Sequence, residues 1–107
     1  MNDRNVQRLS GALLRVVALL KTHGEKRWAF KIEGYLESLR AGDLSAIDSI
    51  LGTYGGMGSC NDLVLCAENG HQIEAPKTIS VNNQLSRLRT ETWELATTIR
   101  QLTLTAE

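Results

Sequence analysis

The firmest constraint on this chain lies in its last third. Val81, Leu85, Leu88, Thr92, Leu95, Ile99 and Leu102 recur at alternating intervals of four and three residues. That spacing puts all seven on one side of an α-helix, and no strand offers it, because strand side chains alternate with a period of two. The pattern predicts a long helix over about residues 80–104. The same interval is a heptad repeat, which suits two occupants: the other helices of this chain, or a second copy of the C-terminal helix in a homodimer. Trp93 lies just off the stripe, placed to cover a neighbouring helix or a partner.

Three shorter segments carry the same kind of signal. Val6, Leu9, Leu13, Val16, Val17 and Leu20 share a helical face, and His23-Gly24 stops that helix with Lys21 near its negative end. Trp28, Ile32, Tyr35, Leu36 and Leu39 share a face of a second helix over about 25–40, ended by Ala41-Gly42. Asp43 suits the N-cap of a short third helix, in which Leu44, Ile47, Ile50, Leu51 and Tyr54 are expected to point inward.

Residues 63–76 break the helical pattern. Asn69-Gly70 is the strongest two-residue hairpin signal. With that pair as the loop, Glu68 faces His71, Cys66 faces Ile73 and Val64 faces Ala75, which sets Val64, Cys66, Ile73 and Ala75 on one face. A short helix capped by Ser59 and stopped at Gly70 competes with this reading. The hairpin is favoured. Pro76 then precedes the last helix. The expected architecture is therefore mainly α, a bundle of about four helices with a glycine-rich loop and a small β-hairpin before the long C-terminal helix. It occupies one domain over residues 1–107, a length that can bury a core of its own.

Composition narrows the setting. The chain is 42% hydrophobic and 22% charged, as globular proteins are. No apolar run approaches the roughly 18 residues of a membrane span. The first ten residues lack the basic start and apolar stretch of a secretory leader, so a cytoplasmic location is expected. Cys60 and Cys66 make no disulfide framework. Net charge is zero but unevenly spread: residues 41–76 hold five carboxylates (Asp43, Asp48, Asp62, Glu68, Glu74) and no Lys or Arg.

Within that acidic segment stands Thr53-Tyr-Gly-Gly-Met-Gly-Ser-Cys-Asn-Asp-Leu-Val-Leu65. A phosphate loop needs Lys-Ser/Thr after its glycines, whereas Ser59-Cys60 follows Gly58. A dinucleotide loop needs a third glycine, and Asn61 stands there. The spacing of Cys60, Cys66 and His71 fits no common zinc pattern. Ser59 or Cys60 with His71 and Asp62 is the one available nucleophile–base–acid set, and acidic neighbours do nothing to activate the thiol. The basic group around Lys21, His23, Lys26, Arg27 and Lys31 is too small for a nucleic-acid surface in a domain without net positive charge. No catalytic residue, metal, cofactor, nucleic acid or membrane is expected. What remains is a hydrogen-bonding corner made of Gly55, Gly56, Gly58, Ser59, Asn61 and Asp62, with His71, suited to a protein partner of basic character or to a ligand.

The chain resembles a family of small bacterial helical proteins of uncharacterised function. The resemblance rests on Arg27-Trp28, Leu36-Glu-Ser-Leu39, Gly42-Asp43, the GGMGS-x-NDLVL motif of residues 55–65, Asn69-Gly70-His71, and Asn83, Leu85, Leu88-Arg89 and Glu94-Leu-Ala96, across roughly residues 10–100. It implies a helical fold and no particular reaction; small proteins of this type are often toxin-neutralising or accessory partners. The leading expectation is a non-enzymatic protein-binding module, of which an immunity-type toxin inhibitor is one form. The alternative is a small enzyme or ligand-binding protein using the 55–62 loop.

Overall fold

The computed structural model describes residues 3–53 and 63–106. Four helices carry the fold: α1 (Asp3–Thr22), α2 (Lys26–Arg40), α3 (Ser45–Thr53) and α4 (Thr78–Ala106). At 29 residues, α4 is about 43 Å long and accounts for most of the 49 Å long axis of the molecule. α1 packs against both α2 and α4, while α3 bridges the far side of α2 to α4.

The helical stripes behave as the spacing predicts. Leu9, Leu13, Val16, Val17 and Leu20 of α1, Trp28, Ile32, Leu36 and Leu39 of α2, and Ile47 and Ile50 of α3 are buried in one core. From α4, Val81, Leu85, Leu88, Leu95 and Ile99 join them. Thr92 is fully buried on the same stripe, and its hydroxyl donates to the Leu88 carbonyl at 2.7 Å, so the polar group costs the core little. The α4 stripe is thus spent on α1 and α3 over most of its length. Leu102, at its end, is 46% exposed, and Trp93 remains half exposed outside it. Leu44 was expected to point inward but precedes α3 and is exposed. Tyr54 lies outside the described residues.

Two corners of the same construction turn the chain. After α1, Glu25 N–H donates to the Leu20 carbonyl at 2.8 Å and Gly24 N–H to Lys21 at 3.1 Å. After α2, Asp43 N–H reaches Ser38 at 3.0 Å and Gly42 N–H reaches Leu39 at 3.1 Å. Each is a Schellman closure, which needs a left-handed residue at its centre, and Gly24 and Gly42 have φ of 78° and 83°. In both corners the next residue is an acid that starts the following helix. Glu25 Oε2 accepts from Trp28 N–H at 3.1 Å, and Asp43 Oδ1 accepts from Ser45 N–H at 3.0 Å. Hydrogen bonds from the Ser45 hydroxyl and amide hold the Asp43 carboxyl below its usual range.

Exposed ion pairs tie the helices pairwise: Lys21–Glu33 links α1 to α2, Arg15–Glu91 links α1 to α4, and Arg100–Asp48 links α4 to α3. At their exposure each is worth less than about 1 kcal/mol. They favour the register more than the stability.

The expected hairpin is absent. Among the described residues there is no strand, and residues 63–77 form a strap of extended chain with 3-10 turns at Ala67–Asn69 and Ala75–Lys77. Asn69-Gly70 does not make a two-residue hairpin loop. Asn69 N–H and His71 N–H both donate to the Cys66 carbonyl, at 3.1 Å each, and Gly70 ends the turn with φ of 85°. The facing also differs from the hairpin register. Leu65 is fully buried, whereas Val64 and Ala75 are exposed. The competing expectation of a short helix stopped at Gly70 is met only at its end: residues 63–66 are extended, a 3-10 turn at Ala67–Asn69 precedes Gly70, and the Ser59 cap lies outside the described residues.

Burial separates two large apolar side chains cleanly. Leu85→Ala should lower the unfolding free energy in urea by about 2–5 kcal/mol. Phe30→Ala, at a site 81% exposed, should change it by less than about 0.5 kcal/mol in dilute solution.

Candidate functional site

The strap replaces a strand ladder with side chains. Several backbone groups that a hairpin partner would have met find a side chain instead, from α4, from the α1–α2 corner or from the strap itself. Arg89 of α4 donates to the Leu63 carbonyl at 3.1 Å. Asn82 of α4 meets both sides of the Leu65 peptide: its Oδ1 accepts from Leu65 N–H at 2.8 Å and its Nδ2 donates to Leu65 O at 2.7 Å. The same Nδ2 reaches back to the Thr78 carbonyl at 2.8 Å, which fixes the amide orientation. Asn69 Nδ2 donates to Val64 O at 3.1 Å. A primary amide carries the same donor and acceptor as a peptide group, so Asn82 acts as a one-residue strand partner. Leu65 can therefore be buried without an unsatisfied backbone.

The other half of the strap is held at the α1–α2 corner. Gln72 N–H donates to the His23 carbonyl at 2.9 Å, and His23 Nδ1 lies 2.8 Å from the Gln72 carbonyl. A carbonyl only accepts, so His23 carries its proton on Nδ1. His71 has the opposite arrangement. Cys66 N–H donates to its Nδ1 at 3.2 Å, which leaves the proton on Nε2, directed at Glu25 Oε1 3.2 Å away. The His71 side chain is 6% exposed and that of Glu25 16%.

Glu25 is the charged member of this cluster. Burial by itself would push its carboxyl up. The Trp28 N–H, the hydrogen bond from His71 and the charge of Arg27 outweigh that, and the group lies below the usual 4.5.

Of the residues expected to form a binding corner, His71 is the one within the described part of the chain, and it is a buried structural clamp with both ring nitrogens occupied. Gly55, Gly56, Gly58, Ser59, Asn61 and Asp62 lie outside the described residues, as does Cys60. Cys66 meets His71 through its backbone amide, and no group of three or more metal-binding side chains occurs among the described residues. A cleft of about 380 Å³ adjoins the strap between Thr22, His23, Gln72, Ile73, Glu74 and Lys77.

Glu25, Gln72 and Asn82 have no role in the sequence reading, and His23 has only a place in a helix stop and a basic group. A signal existed for two of them. Glu25 stands directly after a helix-stopping glycine, where a cap belongs, and Asn82 is a poor helix former inside a long helix. What each side chain bonds to is 46 and 17 residues away in sequence, respectively, beyond any local pattern.

The chain belongs to the family described as Domain of unknown function (DUF6966), whose model matches residues 21–74. That span holds both members of the Glu25–His71 pair and leaves Asn82 and Arg89 beyond it. No curated protein and no solved structure matches the chain.

Asn82→Ala strips the donor and the acceptor from a buried peptide and should cost about 2–4 kcal/mol in urea unfolding. Glu25 makes a pH prediction. Its carboxyl is lower in the folded protein than in the unfolded chain, so the unfolded state binds more protons in the window between those two values. The stability it contributes is present above about 4.5 and lost as pH falls through the folded value. Thermal melts should show a shallower acid limb below that pH for Glu25→Gln than for the parent, together with a lower melting temperature at pH 7.

Proposed function

We propose that this family member is a non-enzymatic protein-binding module that presents the 63–77 strap to a partner of basic character. One observation supports the reading: the strap backbone is held from four side chains (Glu25 through His71, His23, Asn82 and Arg89) while Val64, a large apolar side chain on it, stays exposed. Val64 is 50% exposed, and Gln72, Glu74 and Pro76 of the same strap also face solvent. A surface ordered before binding loses little conformational entropy on association, which is what a recognition loop requires.

The His71 ring supports the same reading. A general base needs a free ring nitrogen, and here one accepts from Cys66 and the other donates to Glu25. The acidic character of the segment gives the partner its sign. Two of its carboxylates nevertheless lie far apart: Asp48 pairs with Arg100 toward the end of α4, and Glu74 pairs with Lys77 before its start. A partner would read the Glu74 end together with the exposed apolar Val64, rather than one acidic patch. An immunity-type inhibitor of a basic toxin domain is the specific form of this proposal.

The immobilised full chain, challenged with native lysate and washed over a salt series, should retain a basic protein. Raising salt should release it, since exposed charges are screened beyond about 10 Å at 0.1 M. Val64→Asp with Glu74→Lys should abolish retention without lowering the melting temperature by more than about 3 °C. Recovery of the chain alone at every salt concentration would sink the proposal.

A further inference from the structure

The outward face of α2 has features that the monomer does not use. Lys26, Arg27, Phe30, Gly34 and Glu37 follow one another at helical intervals and all are exposed. Phe30 is 81% exposed, the most exposed large hydrophobic side chain among the described residues. One turn further on, Gly34 sits inside a helix where glycine costs about 1 kcal/mol relative to alanine. Nothing in the molecule needs that glycine, because a Cβ built on Gly34 would meet no atom within 4 Å. It leaves a bare stretch of helix backbone beside a projecting ring.

Lys26, Arg27 and Glu37 on this face form no ion pair among the described residues, although the charge of Arg27 also favours the ionised Glu25 carboxyl. Neighbouring charged groups of α2 have local roles: Glu33 pairs with Lys21, and Lys31 lies over the Trp28 ring at 4.8 Å. The two cations stand before Phe30 and the carboxylate stands after Gly34. A face with that polarity is its own complement when reversed.

We propose that α2 is a self-association surface, in which two copies of this chain pair their α2 helices antiparallel about a two-fold axis. The register that sets Phe30 of one copy on Gly34 of the second also sets Arg27 opposite Glu37. The two-fold repeats both contacts, because a two-fold interface uses the same patch on each subunit. Missing side-chain bulk at Gly34 lets the helices approach to the close end of the usual 8–10 Å interaxial range, roughly where an aromatic ring can seat on backbone. A uniformly anionic partner fits less well, since Glu37 would lie against it. The buried area of a single helix face falls below the roughly 1,200 Å² of standard interfaces, so the dimer belongs to the weak class, with Kd of about 10–100 μM.

Sedimentation equilibrium on the purified full chain at pH 7, from about 5 to about 500 μM, reads this directly. The weight-average mass should climb from the 11.8 kDa of one chain toward twice that value. Arg27→Glu or Glu37→Arg alone should weaken association at least about tenfold, since each dimer contains two such pairs, and the double variant should return to within about threefold of the parent. Phe30→Ala and Gly34→Gln should abolish association while leaving the dilute monomer folded by circular dichroism, which a merely structural role would not predict. A mass of 11.8 kDa at every concentration overturns the proposal. A dimer indifferent to Phe30→Ala and to both charge reversals, but lost with Trp93→Ala, also overturns it and puts the seam on α4. The measurement contains no other protein, so its failure leaves the proposed binding of a basic partner standing.

Discussion

Three parts of the molecule meet at Glu25. Its backbone N–H closes the end of α1 on the Leu20 carbonyl, one carboxylate oxygen caps the start of α2 on Trp28, and the other holds His71 and with it the strap. Each bond alone is ordinary, worth roughly 1 kcal/mol, or up to about 3 where the carboxylate is charged. Together they make the α1–α2 corner, the first turn of α2 and the position of the strap depend on one residue, the last two through its side chain. The carboxylate is mostly buried with each oxygen accepting a hydrogen bond, the condition under which a charge inside a protein is tolerated.

The strap shows how a chain manages without a sheet. Extended backbone that is buried needs a partner for every N–H and C=O. Here side chains supply them, with Asn82 meeting Leu65, Arg89 meeting Leu63, and the His71 ring meeting the Cys66 amide. A hairpin would have met the same requirement internally but would have turned Val64 toward the helices. The helices instead receive Leu65, and a one-residue shift in an extended segment exchanges the two faces. Burial of the larger leucine, with its peptide satisfied by Asn82, outweighs the local preference of Asn69-Gly70 for a hairpin loop.

Most of the helical framework was legible because it is local. The stripes of α1, α2 and α4 each recur within a few turns, and Gly24 and Gly42 stand where a left-handed residue must end a helix. The edges of those patterns were less legible. Leu44 matches the apolar spacing of α3 but sits ahead of its first turn, where it meets solvent, and Leu102 continues the α4 stripe to a level where it is half exposed. At the strap, His71 could be named as a residue of interest, but its bonds to Glu25 and Cys66 come from a helix corner and a turn that no periodicity connects.

The sequence by itself determined that this protein is built on four helices, where they stop, and which sides of them are apolar, because helix propensity, periodicity and glycine stereochemistry act over a few residues. Only the tertiary structure decided that the α4 stripe is spent against α1 and α3, that Asp48 and Glu74 of the acidic stretch lie toward opposite ends of α4, and that Asn69-Gly70 ends a 3-10 turn. Those outcomes depend on which backbone groups and which apolar faces come together across tens of residues. There, burial and hydrogen-bond satisfaction outweigh local preference.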